Sequence, residues 1–153
     1  MRIRPARPDE AEQLSELALR SKAYWGYDEA FLEACREELT LDPAGIEPRR
    51  TAVAEADGRV LGFVTLVGTP PEGELGMLFV EPDTIGRGVG RSLVAHLRAQ
   101  AAALGFRRLT LDADPNAEPF YLAMGATRIG TSPSGSIPGR ELPLLALEIA
   151  ATA

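Results

Sequence analysis

Between the apolar run Leu78 to Val80 and the amphipathic run Leu93 to Leu104 lies Ile85-Gly86-Arg87-Gly88-Val89-Gly90-Arg91-Ser92. Glycines at alternate positions let a backbone turn sharply and aim successive N–H groups at one point, and a helix that follows adds the positive end of its dipole. That combination binds an oxyanion such as a pyrophosphate. Three glycines within five residues, with two arginines beside them, exceed what a plain strand-to-helix turn requires. A phosphate-bearing ligand is therefore the first expectation.

Spacing tests two familiar owners of such a loop. A triphosphate-binding loop needs four residues between its glycines, then Lys followed by Ser or Thr. Gly88-Val89-Gly90-Arg91-Ser92 has neither the span nor the lysine. A dinucleotide fingerprint needs G-x-G-x-x-G after the first strand of a βαβ unit, with an acid about 20 residues on. Gly86, Gly88 and Gly90 give G-x-G-x-G, preceded by three strands and two helices rather than one strand. A nucleotide-binding protein of either kind is disfavoured.

The elements that must position this loop follow from periodicity and turn residues. Arg2 to Arg4 reads as a short strand. Pro8-Asp9-Glu10 opens a helix with Leu14, Leu17 and Ala18 on one stripe. The segment Lys22 to Asp28 interrupts it. Asp28 is placed to N-cap a second helix, with Phe31, Leu32, Cys35 and Leu39 buried and Asp42-Pro43 at its end. Strands are expected at Thr51 to Glu55 and Val60 to Val67, joined by an Asp57-Gly58 turn, and at Glu74 to Val80 after the Thr69-Pro70-Pro71 break. A long helix with Leu93, Val94, Leu97, Ala101 and Leu104 follows the glycines and ends at Gly105. Leu109 to Asp112 reads as a buried strand, Ala117 to Met124 as a short helix closed by Gly125. Two terminal strands, about Thr127 to Thr131 and Leu142 to Ile149, bracket the loop Ser132 to Arg140. The expected fold is α/β: one layer with a mixed sheet, hairpin strands leading through a helical crossover to a parallel neighbour.

Val80-Glu81-Pro82, a short spacer, and then Gly86-Arg87-Gly88-Val89-Gly90-Arg91-Ser92-Leu93 resemble the acetyl-CoA-binding motif of the GCN5-related N-acetyltransferase (GNAT) superfamily. Asn116-Ala117-Glu118-Pro119-Phe120-Tyr121-Leu122-Ala123-Met124-Gly125-Ala126 resembles that family's next motif. The element order matches over nearly the whole chain. The resemblance implies a mixed, mostly antiparallel central sheet of six or seven strands flanked by about four helices. It implies that amides from Arg87 to Ser92, with Gly86, hold the pyrophosphate of coenzyme A, and that Leu78, Phe79 and Val80 hydrogen-bond its pantetheine arm like an added strand. Gly76 would mark a bulge in that strand. The family's Arg or Gln at the head of the glycine motif is Ile85 here, but the phosphate-binding groups are backbone amides, which this change leaves in place.

The implied reaction moves the acetyl group of acetyl-CoA to a primary amine by direct attack in a ternary complex. A non-catalytic acyl-CoA sensor of the same fold is the alternative. An alkyl amine is less than about 0.1% neutral at pH 7, so a base helps, and a departing thiolate needs a proton. The resemblance points to Tyr121 as the acid and Glu74 as the base, with Glu72, Glu81, Asp112, Asp114 or a water as competitors for the base. Asn116 can N-cap the short helix, and the resemblance gives it a contact to the coenzyme arm. Arg87 and Arg91 are placed to pair with phosphates. The acceptor is expected between the first two helices and the last loop, with Trp25, Tyr27 and Asp28 lining it. The stretch Ser136 to Arg140 serves either this site or a homodimer contact. His96 reads as a surface histidine and Cys35 as core.

The chain has 153 residues, expected to form a single domain over 1–153, with 45% hydrophobic and 25% charged residues. The net charge of −6 disfavours general nucleic-acid binding. One cysteine and one histidine leave no disulfide and no zinc cluster, so no metal is expected. No apolar run approaches a membrane span and no secretory leader is evident, so a cytoplasmic enzyme that takes a small-molecule or peptide amine is expected.

Overall fold

The computed structural model of the chain describes residues 1–150. Seven strands form one sheet: β1 (Arg2–Pro5), β2 (Ala52–Ala56), β3 (Arg59–Thr69), β4 (Glu72–Val80), β5 (Arg108–Asp112), β6 (Thr127–Pro133) and β7 (Glu141–Glu148). Their order is β1-β2-β3-β4-β5-β7-β6, antiparallel throughout except for the parallel β4–β5 pair. Four α-helices accompany them: α1 (Ala11–Ala23), α2 (Glu29–Cys35), α3 (Val89–Leu104) and α4 (Glu118–Ala123). This is the mixed, mostly antiparallel sheet with four helices that the motifs implied.

The local rules are visible in the turns. Asp57 and Gly58 both take positive φ (52° and 77°), the geometry that closes a two-residue hairpin without splaying β2 and β3. Leu93, Val94, Leu97 and Ala101 recur every three or four residues on α3 and are all fully buried. Leu93, Leu97 and Ala101 meet Val64, Leu66 and Leu75 on one face of the sheet. The opposite face carries Val53 and Phe63 against Leu14, Leu17 and Ala18 of α1 and Cys35 of α2. Cys35 is core, as its place on an apolar stripe suggested.

One element differs from expectation. The second helix ends at Cys35 rather than near Asp42, because the ladder degrades into turn bonds such as Arg36 N–H to Glu33 C=O and Thr40 N–H to Glu37 C=O. Leu39 is still buried, but in the turn beyond the helix, and Phe31 is only half-buried. That leaves the Phe31 ring free to stack on Tyr27, with centroids 4.0 Å apart and planes 11° from parallel.

Candidate active site

The site begins where the sheet opens. β4 pairs with β5 only at Glu72, Gly73 and Glu74, opposite Arg108, Leu109 and Thr110. Beyond Glu74 the two strands part, while β4 stays paired with β3 up to Val80. Glu81 N–H donates to Leu61 C=O at 2.7 Å, just past the Gly62–Val80 step. Antiparallel pairs alternate, so Phe79 also directs its N–H and C=O at β3, whereas Leu78 and Val80 direct theirs into the gap. The three-residue span expected to receive an extended ligand is therefore corrected to two: the backbone of Phe79 is used within the sheet.

A bulge sits at the mouth of the gap. Between Val64 and Leu66 of β3, the partners in β4 advance from Leu78 to Leu75, which leaves one extra residue in β4 around Gly76. Met77 N–H donates to the hydroxyl of Thr65 at 2.8 Å, and Thr65 is fully buried. A Cβ on Gly76 would lie 2.7 Å from that same hydroxyl oxygen, so Thr65 and Gly76 fit only as a pair.

The glycine loop closes the other end. Gly86 and Gly88 take φ of 85° and 84°, and Gly88 is the N-cap of α3. A Cβ at either would meet nothing within 4 Å, so these glycines are required by backbone conformation and face open space. Gly90 differs: its φ is ordinary, but a Cβ there would stand 3.2 Å from the ring of Phe120. The third glycine serves the close packing of α3 on α4. Arg87 N–H is bonded to Thr84 C=O and Ser92 N–H to Gly88 C=O, both at 3.0 Å. These two amides are consumed, which corrects the expected Arg87-to-Ser92 span. The N–H groups of Gly86, Gly88, Val89, Gly90 and Arg91 carry no backbone bond among the described residues. Arg91 borders the cleft; the side chains of Arg87 and Ser92 do not.

Gap, bulge and loop line one continuous cleft of about 770 Å³. Tyr121 of α4 lies on its wall, 6% exposed, with Phe120 edge-on at 5.2 Å. Burial, and then the Asp114 carboxylate, push its phenol well above the usual value. It keeps its proton at neutral pH and is a donor, not a base. Glu74 is exposed to the cleft at the last rung of the β4–β5 ladder. Of its competitors, Glu81 is buried against Arg20 and reaches Arg59 at 3.9 Å. Glu72 does not line the cleft, whereas Asp112 does.

Asp114 is excluded as a base by its bonds. Its Oδ1 accepts from Asn116 N–H (2.8 Å) and Asn116 Nδ2 (2.9 Å), and its Oδ2 from Lys22 Nζ (2.6 Å) and the Tyr27 hydroxyl (2.9 Å). Burial raises its carboxyl, but Lys22, the Asn116 amide and Tyr27 outweigh that and hold it below the ordinary range. Asn116 does not cap α4: the N-cap is Ala117, and the Asn116 side chain instead bridges Asp114 and the Tyr27 hydroxyl at 3.1 Å. Asp114 takes the turn bonds the cap was expected to make.

Of the three residues expected at the acceptor end, Trp25 lines the cleft, 40% exposed and edge-on to Tyr24. Tyr27 stands behind the lining as the node of the polar network. Asp28 does not line the cleft; it caps α2 by accepting from Phe31 N–H at 2.8 Å. Arg140 of the last loop donates to the Tyr27 hydroxyl at 2.8 Å, and Ser136 of the same loop donates to Glu38. The loop thus folds onto its own chain. Lys22, Glu38, Thr65 and Arg140 were not singled out by sequence reasoning, since their partners lie 12 to 113 residues away.

The described residues contain no group of three or more His, Cys, Asp or Glu that could hold a metal. The lining suits an extended ligand that ends in a pyrophosphate: a bulge, then an unpaired strand edge, then a positive-φ glycine loop at a helix start.

Comparison with known proteins agrees. A sequence model described as the Acetyltransferase (GNAT) family matches residues 12–126. The peptidyl-lysine N-acetyltransferase YjaB of Salmonella typhimurium is 33% identical over 146 residues, 95% of each chain. An amino-acid acetyltransferase of Ralstonia nicotianae is 43% identical over 60 residues, 38% of this chain; the match spans only 13% of that protein's length. Among solved structures, a GCN5-related N-acetyltransferase of Rhodopseudomonas palustris superposes with TM-score 0.80 at 29% identity, covering 96% of this chain and 94% of its own. The PaiA N-acetyltransferase of Thermoplasma acidophilum, solved with coenzyme A, gives 0.78 at 21% identity, covering 96% and 98%.

Proposed function

The chain belongs to the acetyltransferase (GNAT) family, and on that premise we propose how it moves an acetyl group from acetyl-CoA to a primary amine: by direct attack in a ternary complex inside the cleft. The observation that carries this reading is the parting of β4 from β5 after Glu74, which leaves the backbone of Leu78 and Val80 unpaired beside the glycine loop. Those groups would hold the pantetheine arm. The free amides of Gly86 and Gly88 to Arg91, aided by the Arg91 side chain, would hold the pyrophosphate.

Acetyl-CoA supplies an activated thioester carbonyl and a thiol leaving group. Glu74, open to the cleft at the apex of the split, takes the proton of the incoming ammonium directly or through water. Tyr121, protonated and desolvated, offers its O–H to the departing sulfur. Asn116 positions rather than reacts, by holding Asp114 and Tyr27 in place.

The acceptor is a small-molecule or peptide amine. A net charge of −6 speaks against nucleic acid. The described residues include no helix long and apolar enough to cross a membrane, and one free, buried cysteine fits a reducing, cytoplasmic setting. The inward fold of the last loop favours a role in the cleft over a homodimer contact.

The test is release of the CoA thiol from acetyl-CoA across amines, amino acids, polyamines and peptides. Acceptor-dependent release is expected. Binding of acetyl-CoA with no release by any acceptor would favour the sensor, and a thermal shift with ATP or NAD but none with acetyl-CoA would overturn the assignment.

A further inference from the structure

Two cations and one carboxylate meet at the acceptor end of the cleft. Asp114, Lys22 and Arg140 all line it, with side chains 11%, 13% and 18% exposed. The four bonds to Asp114 fill the roughly four acceptor positions of a carboxylate. Arg140 Nη2 stands 3.8 Å from Asp114 Oδ2, beyond hydrogen-bond distance. The Tyr27 hydroxyl is also full: it donates to Asp114 and accepts from Asn116 and Arg140. Arg140 therefore spends one donor of its planar fork on Tyr27, and its side chain has no other acceptor among the described residues. Its guanidinium lies over the Phe31 and Tyr27 rings, 4.8 and 5.2 Å from their centroids, which fixes the plane of the fork.

A guanidinium that lines the cleft, is held in orientation, and meets its carboxylate partner Asp114 only at 3.8 Å, without a hydrogen bond, keeps free donors for an anion. Glu38, Glu74 and Asp112 also line the cleft and form no salt bridge among the described residues. Glu74 and Asp112 stand at the split between β4 and β5, whereas the Arg140–Lys22 pair stands against α1 and the last loop, where Glu38 accepts from Ser136. We propose that Arg140, backed by Lys22, binds a carboxylate carried by the acceptor, so that the acceptor is an amine that bears a carboxylate. The carboxylate belongs to a free amino acid or to a peptide. This proposal rests on the amine-acceptor reading above and deepens it.

The experiment compares amines matched in length and basicity: 5-aminopentanoate against pentylamine, and a peptide with a free C-terminus against its C-terminal amide. Thiol release by the wild type is expected to show kcat/KM at least tenfold higher for the carboxylate-bearing member. The first pair responding alone assigns the free amino acid, and the second pair responding identifies the peptide. Arg140→Gln should abolish the preference by raising the acceptor KM, with the KM for acetyl-CoA unchanged, while Arg140→Lys should keep part of it. Equal kcat/KM within both pairs, or loss in Arg140→Gln that falls on both members alike, overturns the proposal. Calorimetry of the four compounds on CoA-loaded protein reads the same preference without turnover. Failure of every amine to release thiol would therefore fall on the transferase reading, and carboxylate-dependent heat lost in Arg140→Gln would still uphold the anion site.

Discussion

Tyr121 is held in a setting that fixes its protonation. Burial, with help from Asp114, raises its phenol, so it titrates above its ordinary value of about 10. Two outcomes follow. Tyr121→Phe should lower kcat by about 10²-fold, the low end for general acid catalysis, and leave the Kd for acetyl-CoA within about twofold. No alkaline fall in kcat below about pH 10 should be traceable to this residue, so any such limb in the wild type should survive in Tyr121→Phe. Glu74→Gln should lower kcat by about 10²-fold or more with the Kd for acetyl-CoA unchanged; an unchanged kcat would take Glu74 out of the mechanism. Tyr121 and Asn116 were legible as residues of a motif. What Asn116 does was not, because its partner Tyr27 lies 89 residues away and only the fold brings them together.

At the scale of elements, the proposed donor site is shared between the glycine loop and the bulge. Gly88→Ala places a side chain at a φ of 84°, which costs about 1–2 kcal/mol of backbone strain with no clash to add to it. The expected signature is a rise in the KM for acetyl-CoA larger than the fall in kcat, read by initial rates; an unchanged KM would remove the loop from donor binding. Thr65→Val leaves the Met77 N–H without its acceptor, at a cost of about 1–3 kcal/mol, and frees the bulge. Its kcat should drop, and Thr65→Ser should restore most of it. The positive-φ glycines were readable in the sequence because the constraint is local. The separate role of Gly90 was not, since it depends on where the Phe120 ring lands. The early end of α2 was missed for a related reason: apolar spacing continues to Leu39, while the helix itself ends at Cys35 and gives way to turns.

Across the whole molecule, two anchored carboxylates set the response to acid. Glu10, 4% exposed, accepts two bonds from Arg4 and one from Arg7 N–H, and these hold its carboxyl below the ordinary range despite burial. Asp114 is lowered as well. A depressed folded-state pKa gives stability that is fully present above the unfolded value, about 4, and lost as pH falls through the folded value. Stability measured by denaturant should therefore decline below about pH 4, and Glu10→Gln should flatten that decline while lowering stability at pH 7. The succession of elements along the chain and the helical crossover from β4 through α3 to a parallel neighbour were legible from periodicity and turn residues; the order of the strands within the sheet was not. The opening between β4 and β5 was reached only through the family resemblance, which set a ligand along Leu78 to Val80; no residue pattern marks where the pairing stops after three residues.

The most direct test of the account is a two-substrate initial-rate study of thiol release, varying acetyl-CoA and one accepted amine together. Direct attack within a ternary complex predicts double-reciprocal lines that intersect, with release absent when the amine is omitted. Parallel lines, or release that does not depend on the amine, would contradict it.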